Sequence, residues 1–267
     1  MSALALNVRD TPLSKVVKRL MEDQHSILLS VALHLIPGVL ILVAYLLIAA
    51  PLVQALGYPP YLGWVVAMCL ALVPAELGLL LYLGWKKNGE LSLRGVVHYT
   101  EKPLKTGALV GYIIALIIGL VIATALLTPV DTFVYNHLFS WIPFESAGGA
   151  GGFLSGYARS TVIVTLVVSL IFTGVILPAI EELYFRGYLL PRLSRAGRWA
   201  PVLNMVLFSL YHLWTPWQFI TRIGFFLPTV WVTWRKQDLR VSLWVHCLSN
   251  TIVQLLTLIA ILSGASF

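Results

Sequence analysis

The sequence predicts an all-α protein, a polytopic membrane bundle of about seven transmembrane helices with its N-terminus in the cytosol. Of its 267 residues, 59% are apolar and only 11% are charged, whereas a soluble domain carries about 25% charged residues. The mean hydropathy is +0.88, and several apolar runs reach the roughly 20 residues that one membrane span needs. So few charges cannot cover a surface that faces water. The composition therefore excludes a soluble enzyme, a disordered chain, a coiled coil and a disulfide scaffold.

The elements follow from the apolar runs and the polar breaks between them. A polar, basic segment ends at His25 and could contain a short interfacial helix at 15–21. The fourth apolar run would be about 50 Å long as one helix, so it must tilt, kink near Pro178 or continue along the interface. The seven predicted spans are 26–50, 62–85, 106–128, 160–193, 200–214, 219–234 and 241–262.

The loops between the spans suggest a division of the chain. A basic loop covers 86–105, and the longest loop covers 129–159, with a run of glycines at 148–152. We interpret 1–159 as an N-terminal membrane region and 160–267 as the membrane core that carries the chemistry.

The lysines and arginines indicate the orientation. With the N-terminus in the cytosol, sixteen of the eighteen basic residues lie on the cytosolic side, and only Arg159 and Arg222 lie outside. This is the asymmetry that the positive-inside rule describes. The net charge of +7 is therefore explained by topology rather than by nucleic-acid binding. The short loops and small size favour a bacterial inner (plasma) membrane.

Ionisable groups inside spans cost about 2.5–3.5 kcal/mol each on insertion scales, so each requires an explanation. Glu182 and Arg186 are four residues apart on a helix and can pair. Glu181 points about 100° away and lacks that partner, so it is free for chemistry. A carboxyl group in a partly dry site suits a general base. The candidates within apolar runs are Glu76, Glu181, Glu182, His34, His212 and His246.

Two further helices each offer a histidine. His212 follows Phe208 by four residues, and Asn250 follows His246 by four, so each pair shares a helix face. These groups could converge with Glu181 on one water molecule, which they would activate, while Asn250 and a histidine bind the oxyanion. Alternatively, Glu181, His212 and His246 could hold a zinc ion with an open coordination position.

Other polar residues have simpler explanations. His34 is better explained as a packing or helix-bonding residue, and Glu76 as a structural hydrogen-bonding residue. Cys69 and Cys247 lie in apolar runs and are expected to be buried thiols. Cys247 faces away from the helix face of His246, which argues against a nucleophile.

At these residues the chain resembles the CAAX protease and bacteriocin-processing (CPBP, or Abi) family of intramembrane endopeptidases. The family pattern is Glu-Glu-x-x-x-Arg, then Phe-x-x-x-His, then His-x-x-x-Asn or Asp. The resemblance covers about 160–262, and each motif alone is weak while the ordered set is specific. The matching residues are Glu181, Glu182 and Arg186, then Phe208 and His212, then His246 and Asn250.

The resemblance implies peptide-bond hydrolysis at or within the membrane, in a cavity on the cytosolic side. It implies no cofactor, with zinc as the alternative. The implied partners are membrane lipid and a membrane-associated or lipidated protein or peptide substrate, such as a prenylated C-terminal peptide. By motif position, Glu181 would activate water, His212 would assist it, His246 and Asn250 would bind the oxyanion, and Glu182 and Arg186 would hold the site.

A non-enzymatic membrane protein, such as a transporter, an immunity protein or a scaffold, is the alternative from another class. Polar residues inside spans also mark transport pathways. A transporter more often shows inverted repeats and paired broken helices, and the sequence shows no such symmetry. The intact motifs argue against a catalytically inactive relative.

Overall fold

A computed structural model of the chain describes residues 12–142 and 154–264. Within these ranges the protein is helical and has no β-strand, apart from an isolated bridge between Arg94 and Val97. The helices are α1 (Pro12–Met21), α2 (Ile27–Ala55), α3 (Pro60–Asn88), α4 (Thr106–Phe139), α5 (159–189), α6 (Ala200–Tyr211), α7 (Phe219–Lys236) and α8 (Arg240–Leu262).

The predicted all-α multi-pass bundle is confirmed, because α2 to α8 match the seven predicted spans in order. By length and composition, five helical stretches in the described part of the chain are able to cross a membrane. One of these, Arg159–Tyr211, contains α5, α6 and the 3₁₀ segment Leu190–Trp199 between them. The cytosolic N-terminus and the division at residue 159 remain predictions.

The long fourth run changes direction after Pro178 rather than at it. The helix continues through Pro178 and ends in the 3₁₀ segment, where Gly197 has a non-helical conformation (φ 54°, ψ −128°). Glycine adopts a positive φ without a steric penalty from a Cβ atom. The turn at Gly197 therefore separates α5 from α6.

The predicted start of the longest loop is wrong, because α4 continues through Pro129 to Phe139. The hydroxyl of Thr128 donates to the Thr124 carbonyl at 2.7 Å, and the hydroxyl of Thr132 donates to the Thr128 carbonyl at 3.3 Å. A proline inside an apolar span is tolerated where neighbouring threonines and helices satisfy the polar backbone. The glycine run at 148–152 lies outside the described residues.

Three π-helical segments lie next to the polar residues of the core. They cover Val73–Gly78, Phe172–Ile176 and Glu182–Leu189. Their backbone hydrogen bonds run from residue i to i+5, and such segments occur often at functional sites because they change the direction of side chains. The first contains Glu76, and the third contains Glu182 and Arg186.

One hydrophobic core joins the N-terminal helices to the later ones. It includes Ile41 of α2, Leu72 of α3, Phe185 of α5 and Phe208 of α6. The crossing of α2 with α6 is close, since a Cβ atom on Gly38 would collide with the carbonyl oxygen of Tyr211. The first helices therefore help to fix the position of the residue that follows, His212.

Candidate active site

Glu182 and Arg186 form a fully buried ion pair on α5. The guanidinium nitrogen NH1 lies 3.2 Å from Oε1 of Glu182, and both side chains are completely shielded from solvent. The guanidinium carbon lies 3.9 Å from the ring centroid of Phe208, and its NH2 is 3.7 Å from the sulfur of Met205. The expected pairing of these two residues is confirmed. A charge this deeply buried is tolerated only where it is paired.

His246 on α8 connects the two glutamates. Its Nδ1 lies 2.8 Å from Oε1 of Glu182, and its Nε2 lies 3.8 Å from Oε2 of Glu181. A hydrogen bond from one ring nitrogen to a carboxylate fixes the orientation of the ring. In the neutral ring it also leaves the other nitrogen unprotonated. Glu182 thus orients His246 so that Nε2 faces Glu181.

His212 occupies the position just after α6 ends. Its Nδ1 lies 2.9 Å from the carbonyl oxygen of Phe208, one turn earlier. When Nδ1 carries the proton and donates to this carbonyl, Nε2 has a free lone pair. Nε2 makes no hydrogen bond within the part of the chain that the structure describes. His212 can therefore accept a proton from a ligand.

The loop after α6 follows a helix that is too short to cross a membrane. The twelve residues of α6 span only about 18 Å at 1.5 Å per residue, well short of the roughly 30 Å hydrocarbon core. Irregular backbone inside a membrane is tolerated where it is buried in protein or lines a cavity that contains water. The loop does line a cavity.

This cavity has a volume of about 370 Å³ and brings three of the motif residues, His212, His246 and Asn250, into one wall. His212 comes from the end of α6, while His246 and Asn250 come from α8. Glu181 is 7% exposed and connects to the cavity through His246. The side-chain nitrogen of Asn250 donates one hydrogen bond to the Thr173 carbonyl at 3.1 Å. Its second N–H remains available to a ligand.

Sequence reasoning missed several residues of this cavity. Arg222 of α7 is one of its wall residues, together with Tyr61 of α3 and the aromatic Phe226. Tyr61 accepts a hydrogen bond from Nε2 of Gln254 at 2.6 Å. The only sequence signal for Arg222 was its position outside the cytosolic group of basic residues.

The structural hydrogen bond expected of Glu76 stays a prediction, because its polar neighbour Tyr211 does not meet strict hydrogen-bond geometry. Glu76 is fully buried on α3, and neither carboxyl oxygen has a hydrogen-bond partner among the described residues. Its segment packs against Leu177–Glu181, and its carboxyl group interacts electrostatically with Glu181. The hydroxyl of Tyr211 lies close to both carboxyl groups without meeting strict hydrogen-bond geometry. A second carboxyl group therefore lies beside Glu181.

His34 and Cys247 behave as expected, whereas Cys69, expected to be buried, is only partly so. The ring of His34 is buried between the Ser30 carbonyl, 2.7 Å from Nδ1, and the side-chain nitrogen of Asn204, 3.0 Å from Nε2. This network is structural. Cys247 is buried with its sulfur 3.6 Å from the Val175 carbonyl, while Cys69 is partly buried.

The zinc alternative needs three ligands that are close together. Within residues 12–142 and 154–264, no group of three or more His, Cys, Asp or Glu side chains is arranged to hold a metal ion. Glu181, His212 and His246 are therefore not arranged as a zinc site in this structure.

These features define a multi-pass helical membrane protein with a buried cluster of glutamate, histidine and arginine beside one polar cavity. Residues 163–252 match the family model of the type II CAAX prenyl endopeptidase Rce1-like proteins. This match confirms the resemblance to the CAAX protease family. Its range contains the motif residues Glu181, Glu182, Arg186, His212, His246 and Asn250. It supports an intramembrane endopeptidase at the family level. The comparisons with curated proteins and with solved structures gave no significant match.

Proposed function

We propose that this integral membrane protein is an endopeptidase in which Glu181 activates a water molecule for attack on a peptide bond. The observation that carries the proposal is the position of His246. Its ring contacts Glu182 and approaches Glu181, and it also forms the cavity wall that contains His212 and Asn250. One imidazole thus links a buried carboxyl pair to a space that can hold substrate.

The proposed reaction begins with a water molecule between Glu181 and the substrate carbonyl. Glu181 takes a proton from the water, and the hydroxide bonds to the carbonyl carbon. The negative charge moves to the carbonyl oxygen, where the free N–H of Asn250 and the Nε2–H of a doubly protonated His246 would donate hydrogen bonds. Donors aimed at such an oxyanion typically contribute a factor of 10²–10³ each.

The tetrahedral intermediate then collapses. The bond between carbonyl carbon and nitrogen breaks, and the leaving amine receives the proton taken from the water. This proton moves from Glu181 to the leaving amine. The free Nε2 of His212 would assist by accepting the proton and passing it on. Glu182 and Arg186 are positioning residues, because Glu182 orients His246 and Arg186 balances the negative charge of Glu182.

The proposed substrate is a membrane-associated or lipidated protein or peptide, and the proposed location is a bacterial inner membrane. A prenylated C-terminal peptide is one candidate. The first experiment compares membranes from cells that express the wild-type protein and the Glu181→Ala variant, using quantitative mass spectrometry of membrane peptides. We expect one or a few uncleaved proteins to accumulate only with the variant.

The matched control is Glu90→Ala, which removes an exposed carboxyl group from the basic loop. It should give the wild-type peptide pattern. Equal patterns for the wild-type and Glu181→Ala proteins would contradict the proposal and favour a transporter or a scaffold. Metal analysis and a chelator test of the purified protein decide the zinc alternative, since a metal-free enzyme keeps full activity in chelator.

A further inference from the structure

Two arginines lie outside the cytosolic group of basic residues, and the structure explains one of them. Arg159 donates from NH2 to the carbonyl oxygens of Ile261 at 2.9 Å and Leu262 at 2.8 Å. These are among the last carbonyls of α8, whose end carries partial negative charge that a cation stabilises. Arg159 therefore has a structural role that accounts for its charge, while the charge of Arg222 needs a separate explanation.

Arg222 lies near the start of α7 and is 7% exposed. Its NH2 donates to the hydroxyl of Thr215 at 2.8 Å and to the side-chain oxygen of Gln218 at 2.9 Å. Both partners are neutral and belong to the loop between α6 and α7. They fix the plane of the guanidinium without balancing its charge.

The other terminal nitrogen of Arg222 has no partner. NH1 is buried and makes no hydrogen bond to any described residue. Within the described ranges no carboxylate oxygen lies within 4 Å of the guanidinium. Among acidic groups, Asp131 of α4 has the largest electrostatic effect on Arg222, and its carboxyl group already accepts a hydrogen bond from the hydroxyl of Thr221.

A buried guanidinium with an unused N–H group is costly, and in a membrane protein such a residue usually faces a cavity and marks a ligand path. Arg222 belongs to the same cavity wall as His212, His246 and Asn250. A planar guanidinium binds carboxylates in a geometry that few other side chains can match. The missing partner is therefore expected to arrive with the ligand.

We propose that Arg222 is the anion-binding subsite of the cavity and binds a carboxylate of the peptide substrate. This inference rests on the proposed function, because it assumes that a peptide occupies the cavity beside His212 and His246. A cavity of about 370 Å³ holds only a few residues, so the carboxylate must lie close in sequence to the bond that is cleaved. Either a free C-terminus or an acidic side chain would supply it.

Binding of short product-like peptides to the detergent-solubilised protein tests the proposal without requiring cleavage. The probes are acetyl-Val-Ile-Leu with a free C-terminus, the same peptide as its C-terminal amide, and acetyl-Val-Ile-Glu amide. Thermal stabilisation as a function of peptide concentration gives the affinity of each. We expect at least one carboxylate peptide to bind about tenfold or more tightly than the neutral amide, given the usual strength of hydrogen bonds to charged groups.

Two substitutions of Arg222 and one control complete the design. Arg222→Gln should remove the preference for the carboxylate. Arg222→Lys, which keeps the positive charge but lacks the planar guanidinium, should retain only part of this preference. Arg235→Gln changes an exposed arginine on the same helix and should leave the preference intact. The free C-terminal peptide and the glutamate peptide distinguish the two sources of the carboxylate.

Equal binding of carboxylate and amide peptides to the wild-type protein would overturn the proposal, as would no binding of either carboxylate. A preference that survives in Arg222→Gln would also overturn it. Binding of dodecyl phosphate that depends on Arg222, without binding of the peptides, would assign the subsite to a lipid phosphate instead. These binding outcomes do not depend on the mass spectrometry of membrane peptides with Glu181→Ala, which tests the peptidase activity itself. The two proposals can therefore fail independently.

Discussion

At the scale of single residues, the buried charges form a connected set. Glu182 accepts a hydrogen bond from His246 and forms an ion pair with Arg186. One carboxylate therefore orients a candidate catalytic ring and also balances a buried cation. Its second oxygen has no partner among the described residues. Removing one member of such a set leaves another charge buried and unpaired, and this usually costs more than the pair itself contributes.

The Glu182–Arg186 pair gives the first residue-scale prediction. Glu182→Ala should lower the free energy of unfolding by about 3–5 kcal/mol, because Arg186 is left without its carboxylate. The double variant Glu182→Ala with Arg186→Met should recover most of that stability but not peptidase activity, since His246 remains unoriented. Thermal unfolding in detergent measures both variants. A double variant no more stable than Glu182→Ala would show that the buried charge is not the cause.

At the scale of elements, close helix contacts and π-helical segments determine where the polar side chains meet. The π-helical segment Val73–Gly78 packs against Leu177–Glu181 and places Glu76 beside Glu181. The contact between α2 and α6 depends on the absence of a side chain at Gly38. These arrangements depend on neighbours that are distant in sequence.

The crossing of α2 and α6 gives an element-scale prediction. Gly38→Ala would place a methyl group against the carbonyl of Tyr211, so the helices must separate and His212 must move. Overpacking of this kind costs about 1–3 kcal/mol, and activity should fall with it. Gly119→Ala is the control, since a Cβ atom there meets nothing within 4 Å. Equal melting temperatures for the two variants would refute the close contact.

The turn between α7 and α8 gives a prediction about pH. Asp238 is 1% exposed. It accepts hydrogen bonds from the backbone nitrogen of Leu104 at 2.7 Å and from the guanidinium of Arg240 at 2.7 Å. Burial alone would raise the pKa of Asp238, but the hydrogen bonds from Arg240 and Leu104 outweigh it and hold the pKa below its ordinary value of 3.8.

A carboxyl group whose pKa is lower in the folded state than in the unfolded state stabilises the protein at any pH above its unfolded-state pKa. This stability is lost as the pH falls through the folded-state pKa. The contribution of Asp238 is therefore complete at neutral pH and is lost below about pH 4. Asp238→Asn should lower the melting temperature at pH 7. Between pH 5 and pH 3 the melting temperature of this variant should fall less than that of the wild-type protein. Melting curves in detergent over this range measure the effect, and parallel curves for both proteins would contradict it.

At the scale of the whole molecule, the sequence predicted what depends on local pattern. Long apolar runs gave the order of the helices, and the spacing of Glu182 and Arg186 gave their pairing. The residue spacing also placed Asn250 on the helix face of His246. The three motifs lie in segments that the family model covers, which is why the resemblance was visible without a structure.

Long-range packing explains what the sequence could not predict. Glu76 lies about a hundred residues before Glu181, and nothing in its neighbourhood indicates that α3 would bring it there. The charge pattern marked Arg222 as an exception without placing it in the cavity of His212. The continuation of α4 through Pro129, where the hydroxyls of Thr128 and Thr132 bond to carbonyls of the same helix, was likewise not evident from the sequence.

The central claim is that the Glu181 carboxyl group activates the attacking water. The most direct measurement is the cleavage rate of a substrate, identified by its accumulation, with purified protein in proteoliposomes. Glu181→Ala should keep the wild-type melting temperature within a few degrees and lose at least about 100-fold in rate, the usual contribution of a general base. A folded Glu181→Ala variant that cleaves at the wild-type rate would contradict the account.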